Sequence, residues 1–269
     1  MKYALRQLAK NPGFTVVALA TLTLGIGVNT TAFTVLNRLL LQSLPFRDTG
    51  GLVLVWASSS QGDIWAQGSG DFVEERAQST VFEDMAAYNH ARASVAETGK
   101  PAVQYGCVFV SANFFPIIGV QPQIGRPFTE DEAKRSEWLT LISNAYWREH
   151  YGSAPAVLGR PIRINGRTYT IVGVMPPTLD DPTLLGGPAA LFPLDPFTLV
   201  DKENRHGSGW YTVTARLKPG VTLVQAQAEM TVVAKRLAHD HPKTNANFGL
   251  SRGHSVEDVV AKRRTVWRC

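Results

Sequence analysis

The sequence predicts an α+β protein in which one N-terminal transmembrane helix precedes a domain of short strands and helices. The first observation is a run of 27 uncharged residues between Lys10 and Arg38. The second is an Asn-Gly pair at 165–166 between two alternating runs, which is typical of a β-hairpin. The third is an apolar run at 210–217 followed by a helical pattern at 222–238. A strand and a helix in this order, with strands elsewhere, indicate a split βαβ arrangement.

Residues 14–38 form the predicted membrane helix. At about 1.5 Å of rise per residue, the 23 residues from 14 to 36 alone make a helix of roughly 34 Å, which crosses a hydrocarbon core of about 30 Å. Basic residues are slightly more numerous before the helix than after it, which favours a cytoplasmic lead at 1–13 and an extracytoplasmic location for the rest. These residues are Lys2, Arg6 and Lys10 before the uncharged run, and Arg38 and Arg47 after it. The sequence therefore predicts a single-pass membrane protein, with the lipid bilayer as its first partner.

Three other interpretations of this segment remain open. A buried core helix is one, although such helices rarely reach this length without a charge. A cleaved secretory signal is another, but it has a shorter apolar region followed by small residues, which 36–39 do not offer. A pilin-like subunit is the third, because residues 13–15 resemble a prepilin cleavage site; the position of the glutamate typical of pilins is Ala18 here. We favour an uncleaved anchor.

Small and polar residues recur on one face of the predicted membrane helix. Spacings of three and four residues place side chains on the same face. Small side chains allow helix backbones to approach, and an intramembrane asparagine requires a partner. We therefore expect a packing surface for other membrane helices, although chance also produces such a stripe in helices rich in threonine and glycine. Its residues are Ala18, Thr21, Gly25, Asn29 and Ala32.

Residues 47–250 are predicted to form the extracytoplasmic domain. Apolar runs bounded by turn residues predict its strands, and Ser69 or Asp71 is the expected cap of its first helix. Thr222 and Gln225 form a capping box that begins its last helix. The predicted strands are 52–56, 92–96, 102–110, 139–143, 161–175 with its hairpin turn, and 210–217. The predicted helical segments are 69–78, 82–88, 112–119, 144–151 and 222–238, and irregular segments are expected at 58–69 and 178–204.

Composition and motifs argue against several classes of function. The net charge of +5 comes from scattered residues without a nucleic-acid-binding signature, so no nucleic acid partner is expected. No Walker A motif is present in the sequence, so this chain is not expected to bind ATP through such a motif. Cys107 is expected to be buried, and two cysteines give neither a disulfide framework nor a cysteine-based zinc site.

No residue is predicted to be catalytic, to bind a cofactor or to ligate a metal, and the chain is not expected to be an enzyme. The histidine and serine of 206–208 lack the surroundings of a nucleophile elbow. His239 and His241 are two positions apart and face different directions at a helix end. The acidic runs at 130–132 and 180–181 are more typical of solvated loops than of acid–base pairs.

Many short sequence segments along residues 1–250 resemble those of the permease subunits of the macrolide-exporter (MacB) type of ABC transporter. The chain is most similar to the bacterial permeases of this type that carry no ATPase domain of their own. The resemblance is specific because so many segments occur in the same order as in that family. They lie at 3–8, 11–15, 22–30, 40–46, 110–115, 119–122, 125–128, 158–160, 171–176 and 215–220.

The resemblance implies a MacB-like periplasmic core domain made of two parts, with a mostly β part inserted at about 120–190 into a split βαβ part. It implies a bacterial inner-membrane location and a role in relaying ATP-driven motion to periplasmic partners, without covalent chemistry. The implied partners are further permease helices or a second permease copy, a separate ATPase subunit and a periplasmic adaptor.

The end of the chain departs from the family pattern. The resemblance implies three more membrane helices, but no apolar run follows residue 250, and residues 251–269 show no convincing pattern beyond a weak helical one at 256–262. We therefore expect an irregular tail and a permease that is truncated at its C-terminus. Nothing in the sequence indicates a transported substrate.

Overall fold

A single mixed sheet organises the domain in the computed structural model. Pro45–Val260 form one compact unit that contains this sheet, and Met1–Leu44 with Ala261–Cys269 form another. The structure describes residues 13, 15–16, 21–27, 51–58, 64–97, 101–180, 190–194, 209, 211–245 and 252–255.

Strands and helices follow one another without a regular alternation along the described residues, which is typical of an α+β fold. The strands are β1 (Leu52–Ser58), β2 (Ile64–Trp65), β3 (Phe82–Ala96), β4 (Val103–Val110), β5 (Ile124–Gly125), β6 (Leu139–Ile142), β7 (Pro161–Ile164), β8 (Arg167–Val174), β9 (Leu191–Pro193), β10 (Thr212–Leu217) and β11 (Arg252–Ser255). The helices of the domain are α1 (Ser69–Gln78), α2 (Phe114–Ile118), α3 (Glu130–Lys134), α4 (Asn144–Tyr151), α5 (Leu223–Asp240) and α6 (Pro242–Asn245).

Four of the strands and two of the helices form a double split βαβ unit, here called the ferredoxin-like unit. β1, α1 and β3 are one βαβ segment, and β10 lies between its strands, antiparallel to both. β10, α5 and β11 are the other, with β1 between its strands. The order β11-β1-β10-β3 confirms the predicted α+β fold and its split βαβ arrangement.

The segment between β3 and β10, here called the insertion, extends the same sheet on the far side of β3. Its strands continue the order as β4-β9-β6-β8-β5, and β7 pairs with both β3 and β8. The first hydrophobic cluster lies in the ferredoxin-like unit and comprises Val53, Val55, Phe72, Phe82, Met85, Ala87, Val213, Ala215, Ala226 and Met230. The second lies mostly in the insertion and comprises Ala93, Val95, Cys107, Ile142, Tyr146, Trp147, Val157, Ile162, Ile164, Tyr169, Ile171, Val174 and Leu191. β3 contributes to both clusters. The narrower boundaries expected for the inserted part, 120–190, stay a prediction.

The helical turn predicted at 82–88 is wrong, because these residues are the first half of β3. Phe82 and Met85 are three positions apart and both are buried, which imitates a helical pattern. The register between β3 and β10 skips Glu83, which is the extra residue of a β-bulge. The bulge brings Phe82 and Met85 to the same face of a strand.

Local signals were the most accurate part of the sequence prediction. Asn165 and Gly166 have φ angles of 49° and 80° and join β7 to β8, which confirms the hairpin. Thr222 caps α5 in the predicted capping box. Gly119 and Gly152 end α2 and α4 in the left-handed conformation, as glycine permits.

Three further features differ from expectation. α1 begins after Gly68, which makes no side-chain cap, so neither Ser69 nor Asp71 is the cap. β2 lies in the segment 58–69 that was expected to be irregular, and β11 lies in the tail predicted irregular at 251–269. Both strands form by pairing with β1, which no local pattern reveals.

Candidate functional site

The N-terminal segment contains the packing residues predicted from the sequence. Thr21 and Gly25 lie one turn apart in the helical residues 21–27, whose three large apolar side chains are 60 to 72 % exposed. A Cβ atom placed on Gly25 would meet no atom within 4 Å. Ala18, Asn29 and Ala32 lie outside the described residues. No helix in the part of the chain that the structure describes is long and apolar enough to cross a membrane. The packing surface therefore stays a prediction.

A network of four side chains, here called the polar junction, joins the ferredoxin-like unit to the insertion. Its members are Arg76 of α1, Asp84 of β3, Asn113 before α2 and Glu130 of α3. Arg76 donates through Nε and Nη2 to the two carboxylate oxygens of Asp84, at 2.6 and 2.9 Å. Arg76 also donates to Glu130 at 2.8 Å, and Asn113 donates to Asp84 at 2.6 Å. Two residues of the unit are thus bonded to two of the insertion.

The charges of the polar junction stabilise one another. Burial raises the pKa of Asp84, but hydrogen bonds from Arg76 and Asn113 outweigh burial and hold the pKa below its usual value. Burial lowers the pKa of Arg76, but its bonds to Asp84 and Glu130 raise the pKa above its usual value. Asp84 and Arg76 therefore remain ionised at neutral pH, so this arrangement joins segments and does not exchange protons.

A second contact connects the same two parts of the domain. The guanidinium of Arg216, on β10, donates to the backbone oxygen of Ile117 at 3.0 and 2.6 Å. This oxygen lies in the last turn of α2, where a cation is favourable because helix carbonyls are unpaired there. Together with the eight-pair register of β3 and β4, these contacts connect the ferredoxin-like unit to the insertion.

Acidic residues that could have been acid–base pairs instead form helix caps and structural hydrogen bonds. Residues 130–132 form the first turn of α3 and not a loop, with Glu132 closing a capping box with Thr129. Asp180 accepts from the Asn144 amide at 3.0 Å and from the Ala145 N–H at 3.1 Å. Asp181 and residues 206–208 lie outside the described residues.

The remaining candidates for chemistry are also engaged in packing. His241 lies 3.0 Å from a carboxylate oxygen of Glu74. Cys107 is buried, as predicted, and burial raises the pKa of its thiol to about 12. Among the described residues, no group of three or more His, Cys, Asp or Glu side chains is arranged to hold a metal ion. That the chain is not an enzyme stays a prediction.

One array resembles a catalytic relay and was missed from the sequence. His150 lies 2.8 Å through Nδ1 from Glu97 and 3.0 Å through Nε2 from the hydroxyl of Tyr105. Tyr146 stacks on His150 at 4.1 Å and donates to Glu97 at 2.9 Å. Burial and the Glu97 carboxylate raise the pKa of Tyr146 above its usual value and that of Tyr151 to about 12, which opposes phenolate formation. The array joins β4 to α4, and its members come from segments too distant to be linked by spacing.

A buried group of four side chains, here called the oxygen cluster, was also missed. Its members are Gln67, Asp71, Glu75 and Asn245, which are 0 to 6 % exposed. Asn245 donates to Asp71 at 2.7 Å, and the Gln67 side chain bonds to Glu75. Burial and the neighbouring Asp71 raise the pKa of Glu75 to about 8, although the Gln67 bond lowers it. Asp71 and Asn245 are separated by 174 positions, so no sequence pattern links them.

The family model of the MacB-like periplasmic core domain matches residues 15–233 of the chain. The chain belongs to this family. The match begins inside the predicted membrane helix and ends within α5, so it covers the polar junction and both hydrophobic clusters. No curated protein matches the chain.

Three solved structures have a fold similar to that of this chain. The periplasmic region of MacB from Actinobacillus actinomycetemcomitans is 13 % identical, with a TM-score of 0.55, over 81 % of this chain and 94 % of that one. A permease domain from Porphyromonas gingivalis is 21 % identical, with a TM-score of 0.55, over 71 % and 86 %. The extracellular domain of the noncanonic ABC-type transporter YknZ from Gram-positive bacteria is 13 % identical, with a TM-score of 0.53, over 76 % and 99 %.

Proposed function

We propose that this chain is the membrane-anchored periplasmic part of an ABC transporter permease. In this proposal residues 14–38 cross the inner membrane, the lead at 1–13 is cytoplasmic, and the MacB-like domain lies in the periplasm. A separate ATPase subunit binds ATP, and the domain transmits the resulting motion to a periplasmic adaptor. The observation that carries the proposal is the family match, because it runs from residue 15, within the apolar segment, to residue 233.

The solved relatives support the location. Their descriptions are a periplasmic region, a permease domain and the extracellular domain of an ABC-type transporter. An uncharged segment followed by such a domain is the arrangement expected of a permease that begins with a membrane helix.

The polar junction supports the transmission of motion. A domain that relays displacement must move as one body, since a weak joint between its parts would absorb the displacement. β3 runs through both hydrophobic clusters, and the polar junction links α1 to the start of α3. These contacts are suited to carrying a displacement of the ferredoxin-like unit into the insertion.

Site-specific photo-crosslinking of the full chain in bacterial membranes tests the proposal. A photoreactive residue replaces Arg6 in the lead, and in a second variant it replaces Lys218, which is exposed in the turn after β10. We expect the variant at position 6, and not the one at 218, to crosslink to a protein with a Walker A peptide. A crosslink to that protein from position 218, or from neither position, would contradict the proposed arrangement.

A further inference from the structure

Three oxygen atoms of the oxygen cluster have no hydrogen-bond partner among the residues that the structure describes. They are Gln67 Oε1, Glu75 Oε2 and Asn245 Oδ1. Their side chains are bonded within one cluster, because Gln67 bonds to Glu75 and Asn245 bonds to Asp71, four residues before Glu75 on the same helix. A buried acceptor without a donor is destabilising, and more so if it is charged. Three such acceptors in one cluster would be stabilised by a bound group that supplies the missing contacts.

Reversing the side-chain amides of Gln67 and Asn245 does not provide the missing partners. The amide nitrogen of Asn245 already donates to Asp71, so reversing the amide would place its oxygen against a carboxylate oxygen. The amide nitrogen of Gln67 points towards Val55 O at 3.5 Å, and its side chain bonds to Glu75. The unpartnered atoms are consequently oxygens, and they attract a positive ion.

Carboxylate and amide oxygens are the ligands of hard cations such as calcium and magnesium. Magnesium usually keeps several water ligands, but the four side chains of the oxygen cluster are at most 6 % exposed. Calcium accepts irregular sets of protein oxygens, and two carboxylates balance its charge. We propose that the oxygen cluster of Gln67, Asp71, Glu75 and Asn245 binds one calcium ion.

The ligands are held in position before an ion binds. The backbone of Gln67 pairs with that of Tyr211 through bonds of 2.9 and 3.1 Å. Asp71 and Glu75 lie one turn apart on α1, which the first hydrophobic cluster anchors through Phe72. Calcium would thus fix α6 to α1 and join the segment after α5 to the start of the domain.

Calorimetric titration of the full chain in detergent micelles tests this proposal. After treatment with a chelator, we expect one calcium ion per chain and no competition from an equal concentration of magnesium. At about one hundred times Kd, the unfolding midpoint should rise by about 5 to 10 °C. The exposed carboxylate of Glu83 gives a matched control, because Glu83→Gln should bind calcium as the natural chain does.

Two variants of the ligands separate binding from folding. Glu75→Gln keeps the shape of the side chain and removes the carboxyl group that can ionise to bind calcium, so it should be at least as stable in chelator and should lose the response to calcium. Asn245→Asp adds a carboxylate, so it should be less stable in chelator and should bind calcium more tightly.

Two results would overturn the proposal. One is a natural chain that gives no heat and no midpoint shift up to about 10 mM calcium, above the range of weak extracellular sites. A proton on Glu75 or a buried water would then be the partner of the oxygens. The other is an equal shift in Glu75→Gln, which would place the calcium effect elsewhere. Neither result would affect the proposed role in transport, which rests on the family match.

Discussion

The polar junction makes Asp84 the most informative residue to change. Asp84→Asn keeps the size of the side chain and removes its charge. Two hydrogen bonds from Arg76 and one from Asn113 then meet a neutral group, and the new amide nitrogen opposes one of these donors. We expect this single change to weaken the contact between the ferredoxin-like unit and the insertion.

The expected loss follows from the geometry. A hydrogen bond to a charged group contributes about 1.5 to 3 kcal/mol. The side chains of Arg76 and Asp84 are 22 % and 34 % exposed, so solvent screening reduces this value, and Arg76 keeps its bond to Glu130. We therefore expect Asp84→Asn to lower the free energy of unfolding by about 2 kcal/mol, or the midpoint by about 4 to 8 °C.

Thermal unfolding of the full chain in detergent, followed by circular dichroism, measures this loss. Glu83→Gln is the control, because Glu83 is exposed on the bulge next to Asp84. A double-mutant cycle with Arg76→Gln should give a coupling energy above about 1 kcal/mol, since the two residues are in direct contact. The reasoning would be refuted if Asp84→Asn changed stability by less than about 0.5 kcal/mol, the usual effect of a surface change.

Three further predictions concern other parts of the chain. Burial raises the pKa of Glu229, but bonds from Thr80, Ser79 and Val81 outweigh it and lower the pKa below 4.5. The ionised Glu229 carboxylate therefore stabilises the fold fully at pH values above its pKa in the unfolded chain, and this stabilisation is lost as the pH falls through its lower pKa in the folded chain. In urea titrations, Glu229→Gln should cost about 1 kcal/mol at pH 7 and much less near pH 3. Gly209→Ala would place a Cβ atom in a clash with the backbone oxygen of Gln67 and should cost about 3 kcal/mol in the same assay. Gly51→Ala, with no atom nearer than 3.7 Å, should cost little. Gly25→Leu should reduce cross-linking of the N-terminal helix to partner membrane helices, while Leu19→Val should not; equal effects would count against the packing surface.

Elements defined by neighbouring residues could be predicted from the sequence. The hairpin at 165–166 depends on two residues that tolerate positive φ, and the capping box at Thr222 depends on a spacing of three. Both features depend on interactions between residues that are close in the chain, so the sequence pattern alone was sufficient to predict them.

Features that arise from pairing across the chain could not be predicted. β11 has no alternating pattern and exists because it pairs with β1, about two hundred positions away. The bulge at Glu83 gave β3 a helical spacing, and the chain positions of Asp71 and Asn245 gave no indication of their contact. The polar junction was missed for the same reason, since Arg76 and Glu130 are 54 positions apart in the chain.

Cysteine labelling in intact spheroplasts tests the central claim most directly. In a Cys269→Ser background, Lys218→Cys and Lys2→Cys each add one thiol, and position 218 is exposed, while Cys107 is only 1 % exposed. A membrane-impermeant maleimide should label Lys218→Cys without permeabilisation and Lys2→Cys only after it, with both chains sedimenting with the membranes. Labelling of position 2 alone in intact spheroplasts, or recovery of the chain in the soluble fraction without detergent, would contradict a periplasmic domain held by an N-terminal membrane helix.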